Sequence, residues 1–373
     1  MLPLWIAIAA SLVVVSTSDR DRIIFEKSTE EEFDCFTSDM LRGWCTKFEQ
    51  CKFMVDVIKR PSLNKANRLY LRRSRCADRN GDIMICCPLN STILGHIPNM
   101  GLLPSPGECG FTLSDKIFGG TRTRIDEHPW MVLLQYLVDS PDLVFGCGGV
   151  LINHRYVLTA AHCVRKITQY ARLISVRLGE WDIRTEIDCE FDNCNNSPID
   201  VPIERVIPHE LYQPEQLSQH NDIALLRLSR NINYTDWIRP LCLPLGPREL
   251  DETYEGVYMN IAGWGRTENG SASNVLQKAG IAGVNIDDCN RLYNRINVTL
   301  KNSQICAGAQ GGVDSCNGDS GGPLIAESDD RIPHLYVAGI TSFGPSRCGF
   351  KGQPGIYTRV NSFVNWIMSH LRP

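Results

Sequence analysis

The sequence predicts an all-β fold closed by a carboxy-terminal helix and preceded by a small disulfide-rich module. Three observations carry this prediction. Beyond Gly119 the chain runs as short apolar segments separated by turns, with no helical patterns alternating between them, the signature of a barrel or sandwich. At the tail, Val360, Phe363, Val364, Ile367 and Leu371 recur at helical spacing, with Asn361 as a possible cap. Six of the 16 cysteines crowd between Cys35 and Cys87, in a stretch too small to hold itself by apolar burial.

The elements are taken in chain order. Residues 1–18 are a short apolar run ending in Ser16, Thr17 and Ser18, with no Lys or Arg before it. The run is shorter than the ~20 apolar residues of a membrane span and reads as a secretory signal; a buried amino-terminal helix is the alternative. With 373 residues the chain has room for two or three domains, and a net charge of -4 gives no electrostatic reason to expect nucleic acid. No later segment is long and apolar enough to span a membrane. Cysteines behind a signal imply disulfides, and zinc lacks support because no Cys-x-x-Cys pair occurs. The sequons at Asn90, Asn195, Asn233, Asn269 and Asn297 fit a secreted chain and are candidate glycosylation sites.

Residues 35–87 form the small module, 88–116 a Pro/Gly/Asn-rich stretch read as an exposed linker, and 117–373 the large domain. Nine cysteines lie between Cys147 and Cys348, an odd number, so the isolated Cys109 is expected to pair with one of them. Lys116 is followed by Ile117, Phe118 and two glycines. Adjacent glycines weaken any helix or strand, and the stretch makes sense if the chain is cut after Lys116 to free Ile117 as a new amino terminus.

Three segments carry chemistry: "LTAAHC" with His162, "NDIALL" with Asp222 and "DSCNGDSGGP" with Ser320. A serine hydroxyl needs a base to take its proton, and the base works best when a buried carboxylate fixes its tautomer. Singly, each residue is more often a packed histidine, a turn aspartate or a loop serine. Together, in this order and with these flanks, they point to one catalytic set.

At these motifs the chain from Ile117 onward resembles the chymotrypsin-like serine proteases. The resemblance implies two six-stranded antiparallel barrels with the triad His162, Asp222 and Ser320 at their junction, and an oxyanion hole from the amides of Gly318 and Ser320. It also implies that the freed amine of Ile117 turns inward to pair with Asp319. Asp314 then matches the base of a trypsin-like primary pocket with Gly344 and Gly355 as open walls, selecting Arg or Lys.

The six-cysteine module, with its closing Cys86-Cys87 doublet, resembles the clip domain of arthropod clip-domain serine proteases, close to the prophenoloxidase-activating and Easter-like members. The family's pairing would carry over as Cys35–Cys86, Cys45–Cys76, Cys51–Cys87, Cys109–Cys242, Cys147–Cys163, Cys289–Cys306 and Cys316–Cys348. Cys189 and Cys194 are then left to close a small extra loop. Residues 178–194 hold six carboxylates in 17 positions. The resemblance suggests a structural calcium site there, with Glu180 and Asp188 as side-chain ligands and Asp182 and Thr185 between them; a solvated acidic loop is the alternative. Residues 59–75 carry seven basic residues, either a solvated face or a docking surface for an acidic partner.

Together these readings predict a secreted, extracellular (haemolymph-like) zymogen of a trypsin-like endopeptidase. Its expected partners are an upstream trypsin-like activator, a protein zymogen or cytokine precursor as substrate, and a serpin-type inhibitor, with no nucleic acid and no membrane. Self-activation is compatible with Asp314. The resemblance points to a cascade of innate immunity, through prophenoloxidase and melanization or through a Toll-ligand precursor. Embryonic patterning, a digestive protease and a non-catalytic clip homologue acting as a binding cofactor are the rival readings.

Overall fold

In the computed structural model the small module is an antiparallel sheet tied by disulfides. The structure describes residues 35–36, 42–51, 54–55, 71–79, 82–88, 100–111, 121–139, 143–165, 171–265, 272–308, 319–329, 333–345 and 352–373. Strands β1 (Cys35–Phe36), β2 (Arg42–Lys47), β3 (Arg75–Arg79) and β4 (Asp82–Pro88) lie in the order β1-β2-β4-β3. The bonds Cys35–Cys86, Cys45–Cys76 and Cys51–Cys87 cross this sheet. Among the described residues its buried apolar cluster holds Cys51, Met54 and Ile85, with Phe48, Leu71 and Cys87 half-buried around it. A module of about 50 residues buries too little apolar surface to offset the entropy of ordering its chain without cross-links.

The expected exposed linker is corrected by the structure over residues 100–111. Leu103 and Cys109 are buried, and Asn153 Nδ2 donates to Leu102 O at 3.1 Å. The Gly110 amide donates to Pro240 O, and Leu335 N donates back to Gly110 O. Gly110 has φ +64°, and a Cβ there would strike the Leu335 backbone, so only glycine lets the strap lie this close. Cys109–Cys242 completes the attachment. Apolar side chains in a Pro/Gly-rich stretch are buried here because the large domain offers them a groove, not because of local pattern.

Strand β5 (Thr121–Arg122) opens the large domain, followed by β6 (Met131–Leu137), β7 (Leu143–Leu151), β8 (Tyr156–Thr159) and β9 (Arg172–Leu178). After the hairpin β10 (Cys189–Glu190) and β11 (Asn193–Cys194) come β12 (Ile199–Pro208) and β13 (Ala224–Leu228). A closed barrel runs β12-β13-β8-β7-β6-β9. Strands β14 (Tyr258–Gly263), β15 (Gln277–Val284), β16 (Gln304–Gly308), β17 (Pro323–Glu327), β18 (Leu335–Phe343) and β19 (Pro354–Arg359) come next. They close a second six-stranded barrel through the β14–β15 pairing, with β5 hydrogen-bonded to the outer edge of β15. Closure leaves neither barrel with long unpaired edges.

Short helices α1 (His162–Arg165), α2 (Pro247–Asp251) and α3 (Ile286–Tyr293) punctuate the strands. The tail turns through a 3₁₀ segment, Val360–Phe363, into α4 (Val364–His370). All five periodic tail residues are buried. Asn361 does not cap this helix. Its Nδ2 donates to the carbonyls of Glu249 and Glu252, pinning the tail to the segment around α2.

Candidate active site

His162 sits where β8 ends. Ala160 and Ala161 are fully buried, small enough to let the chain turn tightly into α1. Cys163–Cys147 staples α1 to β7, and Tyr136 Oη donates to Cys163 O at 2.9 Å. Asp222 stands just ahead of β13 with no exposed surface. The chain reaches it through two left-handed non-glycine residues, Gln219 (φ +45°) and Asn221 (φ +59°).

Asp222 is held from both barrels. Its Oδ1 accepts from the His162 amide at 2.8 Å, and its Oδ2 accepts from His162 Nδ1 at 2.8 Å. Ser342 Oγ, on β18 of the second barrel, donates to Oδ2 at 2.5 Å, and Thr358 Oγ1 on β19 donates to Asp222 O at 2.7 Å. A carboxylate only accepts, so Nδ1 of His162 carries the proton and Nε2 is left as the basic nitrogen. Tyr212 packs beside Ala161 and Ala224, and burial and the Asp222 charge push its phenol upward.

Ser320 lies in a turn whose backbone is fixed on three sides. Its carbonyl accepts from Gly148 N at 2.8 Å, Gly321 N donates to Thr341 O, and Gly322 N donates to Asp319 O. Gly321 has φ +80°, and a Cβ there would meet Thr159 Oγ1 and Gly148 O. The Cys163 sulfur lies 3.6 Å from His162 Nε2 and 3.7 Å from Ser320 O, so one disulfide borders both residues. Cys147, His162 and Cys163 crowd as a metal set would, but the two sulfurs are bonded to each other and offer no thiolate.

Asp319 Oδ1 accepts from Gly265 N at 2.8 Å, and a Cβ at Gly263 or Gly265 would strike this carboxylate. Gly344 and Gly355 face each other at the ends of β18 and β19: a Cβ on the first would lie 3.7 Å from the second's Cα. Tyr293 Oη donates to Pro354 O at 2.6 Å and braces that wall. Asp314, Gly318, Lys116, Ile117, Cys316, Cys348, Asn90 and Asn269 lie outside the described residues.

The acidic loop divides by face. Glu180, Asp182 and Asp188 are buried. Glu180 Oε1 accepts from Trp181 N at 2.9 Å, and Arg177 Nη1 approaches Oε2 at 3.4 Å. Burial and the neighbouring Asp188 charge push Glu180 up to about 6. Asp188 accepts from Thr185 Oγ1, Asp182 N and Asn195 Nδ2, whereas the Asp182 carboxylate is occupied by Arg184, which holds it below the usual range. Cys189–Cys194 closes the small loop, and Cys289–Cys306 is formed as well.

The sequon at Asn195 is a correction. Asn195 is buried, its Nδ2 donates to Gly179 O and Asp188, and its Oδ1 accepts from Asp188 N. The nitrogen a glycan would need is committed inside the loop. Asn233 and Asn297 are exposed. Sequence reasoning did not single out Ser342, Thr358 or Arg177, and it read Asn195 only as a glycan acceptor. The only signal for the first two was a hydroxyl placed in an otherwise apolar strand.

The chain is similar to known proteins in sequence and in fold. The trypsin family model matches residues 117–367, and the model for the regulatory CLIP domain of proteinases matches 35–87. Serine protease ea of Drosophila melanogaster is 44% identical over 352 residues, covering 90% of each chain. The Spaetzle-processing enzyme of the same organism is 39% identical, covering 100% of this chain and 98% of its own. The crystal structure of the Drosophila Grass clip serine protease of the Toll pathway aligns with a TM-score of 0.65 at 33% identity, covering 90% of this chain and 97% of that one.

Proposed function

The chain belongs to the trypsin family and is a serine endopeptidase with an amino-terminal regulatory CLIP domain, and on that premise we propose that it is a secreted zymogen cut at the Lys116-Ile117 bond to cleave a protein precursor after Arg or Lys. The observation that carries this reading is Asp222 gripping His162 through both the ring and the backbone amide. With Nδ1 protonated, Nε2 takes the Ser320 proton as the hydroxyl attacks the scissile carbonyl. The same nitrogen returns the proton to the leaving amine, and water repeats the sequence on the acyl-enzyme.

The amides of Gly318 and Ser320 would hold the developing oxyanion, each donor contributing about 3 kcal/mol. The ammonium of Ile117 would meet Asp319 and order that loop. A buried charge without a counter-ion is costly, so the uncut chain lacks the interaction that shapes the hole. Asp314 would select the cationic side chain, with Gly344 and Gly355 leaving room for it.

The pathway is an extracellular cascade. Relatives named Spaetzle-processing enzyme, Melanization protease 1 and Phenoloxidase-activating factor 3 align over most of this chain, which favours a Toll-ligand or prophenoloxidase-type precursor as substrate. Among the described residues no helix is long and apolar enough to cross a membrane. A trypsin-like protease upstream, a serpin-type inhibitor, haemolymph-like fluid and glycans at Asn90, Asn233, Asn269 or Asn297 complete the proposal.

Calcium fits the acidic loop. Glu180 and Asp188 are buried side by side, burial and the Asp188 charge push Glu180 up to about 6 despite Arg177, and hard oxygens are the donors Ca²⁺ takes. Glu180 and Asp188 would hold it by side chains, beside Asp182 and Thr185; bound there, the ion supplies charge neutralisation that stiffens the loop.

The test pairs two assays. Protein cut at Lys116 is compared with uncut protein on Arg, Lys and Phe esters, and then incubated with body-fluid precursors whose new termini are sequenced. Arg and Lys esters should be turned over only after the cut. Equal turnover by uncut protein, or a preference for Phe, overturns the proposal.

A further inference from the structure

The bond between Arg295 and Ile296 joins a cationic residue to an isoleucine, as Lys116-Ile117 does, and it stands on the surface. Helix α3 ends at Tyr293, and a 3₁₀ turn, Asn294–Ile296, leads to Asn297 at φ +60°. Residues 294–297 are all exposed, and Ile296 is 61% exposed. Arg172, Arg205 and Arg291 are exposed as well, but they lie within β9, β12 and α3. The turn itself is closed by Asn297 N donating to Asn294 O and Val298 N donating to Tyr293 O. A turn held by so few bonds, all at the surface, opens at small cost into the extended form a protease needs.

The residues just past this bond support the catalytic set. Val298 and Leu300 are buried, and Leu300 exchanges two hydrogen bonds with the Asn290 side chain on α3. Thr299 N donates to Ser218 Oγ at 3.0 Å, and Thr299 O accepts from His220 Nε2 at 2.7 Å. Ser218 and His220 belong to the stretch that delivers Asp222 through the left-handed Gln219 and Asn221. Such backbone persists only where its surroundings hold it, and Thr299 is one of those holds.

We propose that the activated enzyme cuts its own chain, one copy acting on another, between Arg295 and Ile296 and so limits its own activity; this rests on the Arg/Lys selectivity proposed above. Ser320 takes the Arg295 carbonyl as an ester, and His162 hands the proton to the departing Ile296 amine. Water then frees Arg295 as a carboxylate. The Cys289–Cys306 bond spans the cut, so the two pieces stay joined. Thr299 now lies close behind a new chain end, where order is lost most readily, and its hold on Ser218 and His220 loosens. A sugar on Asn297, just past the bond, would shield it.

The experiment takes full-length protein cut at Lys116, strips its N-linked sugars enzymatically and incubates it at high concentration. Samples are drawn over time for amino-terminal sequencing and for Arg-ester turnover. A terminus beginning at Ile296 should appear, on a fragment that separates only after reduction. Turnover should fall in step with it, by roughly 10²-fold at complete cutting. Arg295 is exposed, so Arg295→Gln should start at the parent's turnover, form no such terminus and keep its activity. Steady turnover of Arg esters without an Ile296 terminus overturns this proposal alone. So does a complete cut that leaves turnover unchanged, or an equal loss of activity in Arg295→Gln. Protein that never turns over an Arg ester overturns the selectivity reading and this proposal with it.

Discussion

Asp222 of the catalytic set and the inner acids Glu180 and Asp188 of the 178–194 loop are all hidden from water, yet they are held by different means. Asp222 receives the His162 amide, the His162 ring and the Ser342 hydroxyl on its carboxylate, each contributed by a rigid element. Donors aimed in advance at a charge replace the water it loses. Glu180 accepts one backbone amide and has a 3.4 Å approach from Arg177, a guanidinium already engaged bidentately by Asp200. With Asp188 as its neighbour, Glu180 shifts up to about 6. One region is electrostatically complete within the chain, whereas the other is short of positive charge.

The largest break in that contrast comes from Asp222→Asn. An amide can no longer accept freely from His162 Nδ1, so the ring adopts the wrong tautomer. Turnover of an Arg ester should fall by about 10⁴-fold with only a small change in melting temperature. Activity within tenfold of the parent would mean that the donors around Asp222 matter for packing alone.

His128 supplies a third arrangement, burial without a hydrogen bond and with the Glu127 carboxylate 3.9 Å from Nε2. Neither ring nitrogen has a hydrogen-bond partner among the described residues, and the ring stands edge-on to Trp130 at 5.6 Å. Burial pushes its pKa down to about 4, opposed by Glu127 and assisted by Lys278. Between pH 6.5 and about 4 the unfolded chain binds the proton and the folded chain does not, so stability falls as pH drops through that window. The loss should reach about 3 kcal/mol by pH 4. His128→Leu should flatten this part of the stability profile, measured by denaturant unfolding at pH 7 and pH 4.5. Parallel profiles would show that the ring finds a partner after all.

Ser342→Ala removes one donor of the complete site and leaves the rest. Turnover should drop by about tenfold with KM unchanged, the ordinary worth of one hydrogen bond to a charge. A change confined to KM would place Ser342 in substrate binding instead.

These contrasts mark how far the sequence could be read. His162, Asp222 and Ser320 stood in motifs of fixed order, and the tail helix showed in the spacing of its apolar residues. Cysteine parity pointed Cys109 at the large domain, where it meets Cys242. Contacts between distant segments were not legible. Ser342 reaches Asp222 across 120 residues, and no periodicity encodes a hydroxyl aimed between barrels. Leu103 looked like part of an exposed linker because Pro and Gly surround it, yet a groove in another part of the chain buries it. Asn195 fitted a glycan motif, but the loop's need for a donor to Asp188 uses the same nitrogen.

The smallest effect is also the sharpest for the incomplete region. Glu180→Gln keeps the shape of the side chain and removes its charge. In chelated protein at pH 7.5 that charge is a burden, since burial and Asp188 both oppose it. The variant should then be more stable than the parent by on the order of 1 kcal/mol, less than the full shift implies because Arg177 compensates in part. With millimolar calcium the order should invert, because a bound cation turns the same charge into an attraction and glutamine is a poorer ligand. Thermal melts of both proteins, with calcium and with chelator, read the inversion directly. If Glu180→Gln shifts the melting temperature in the same direction under both conditions, the loop holds no calcium and its charges are balanced within the chain.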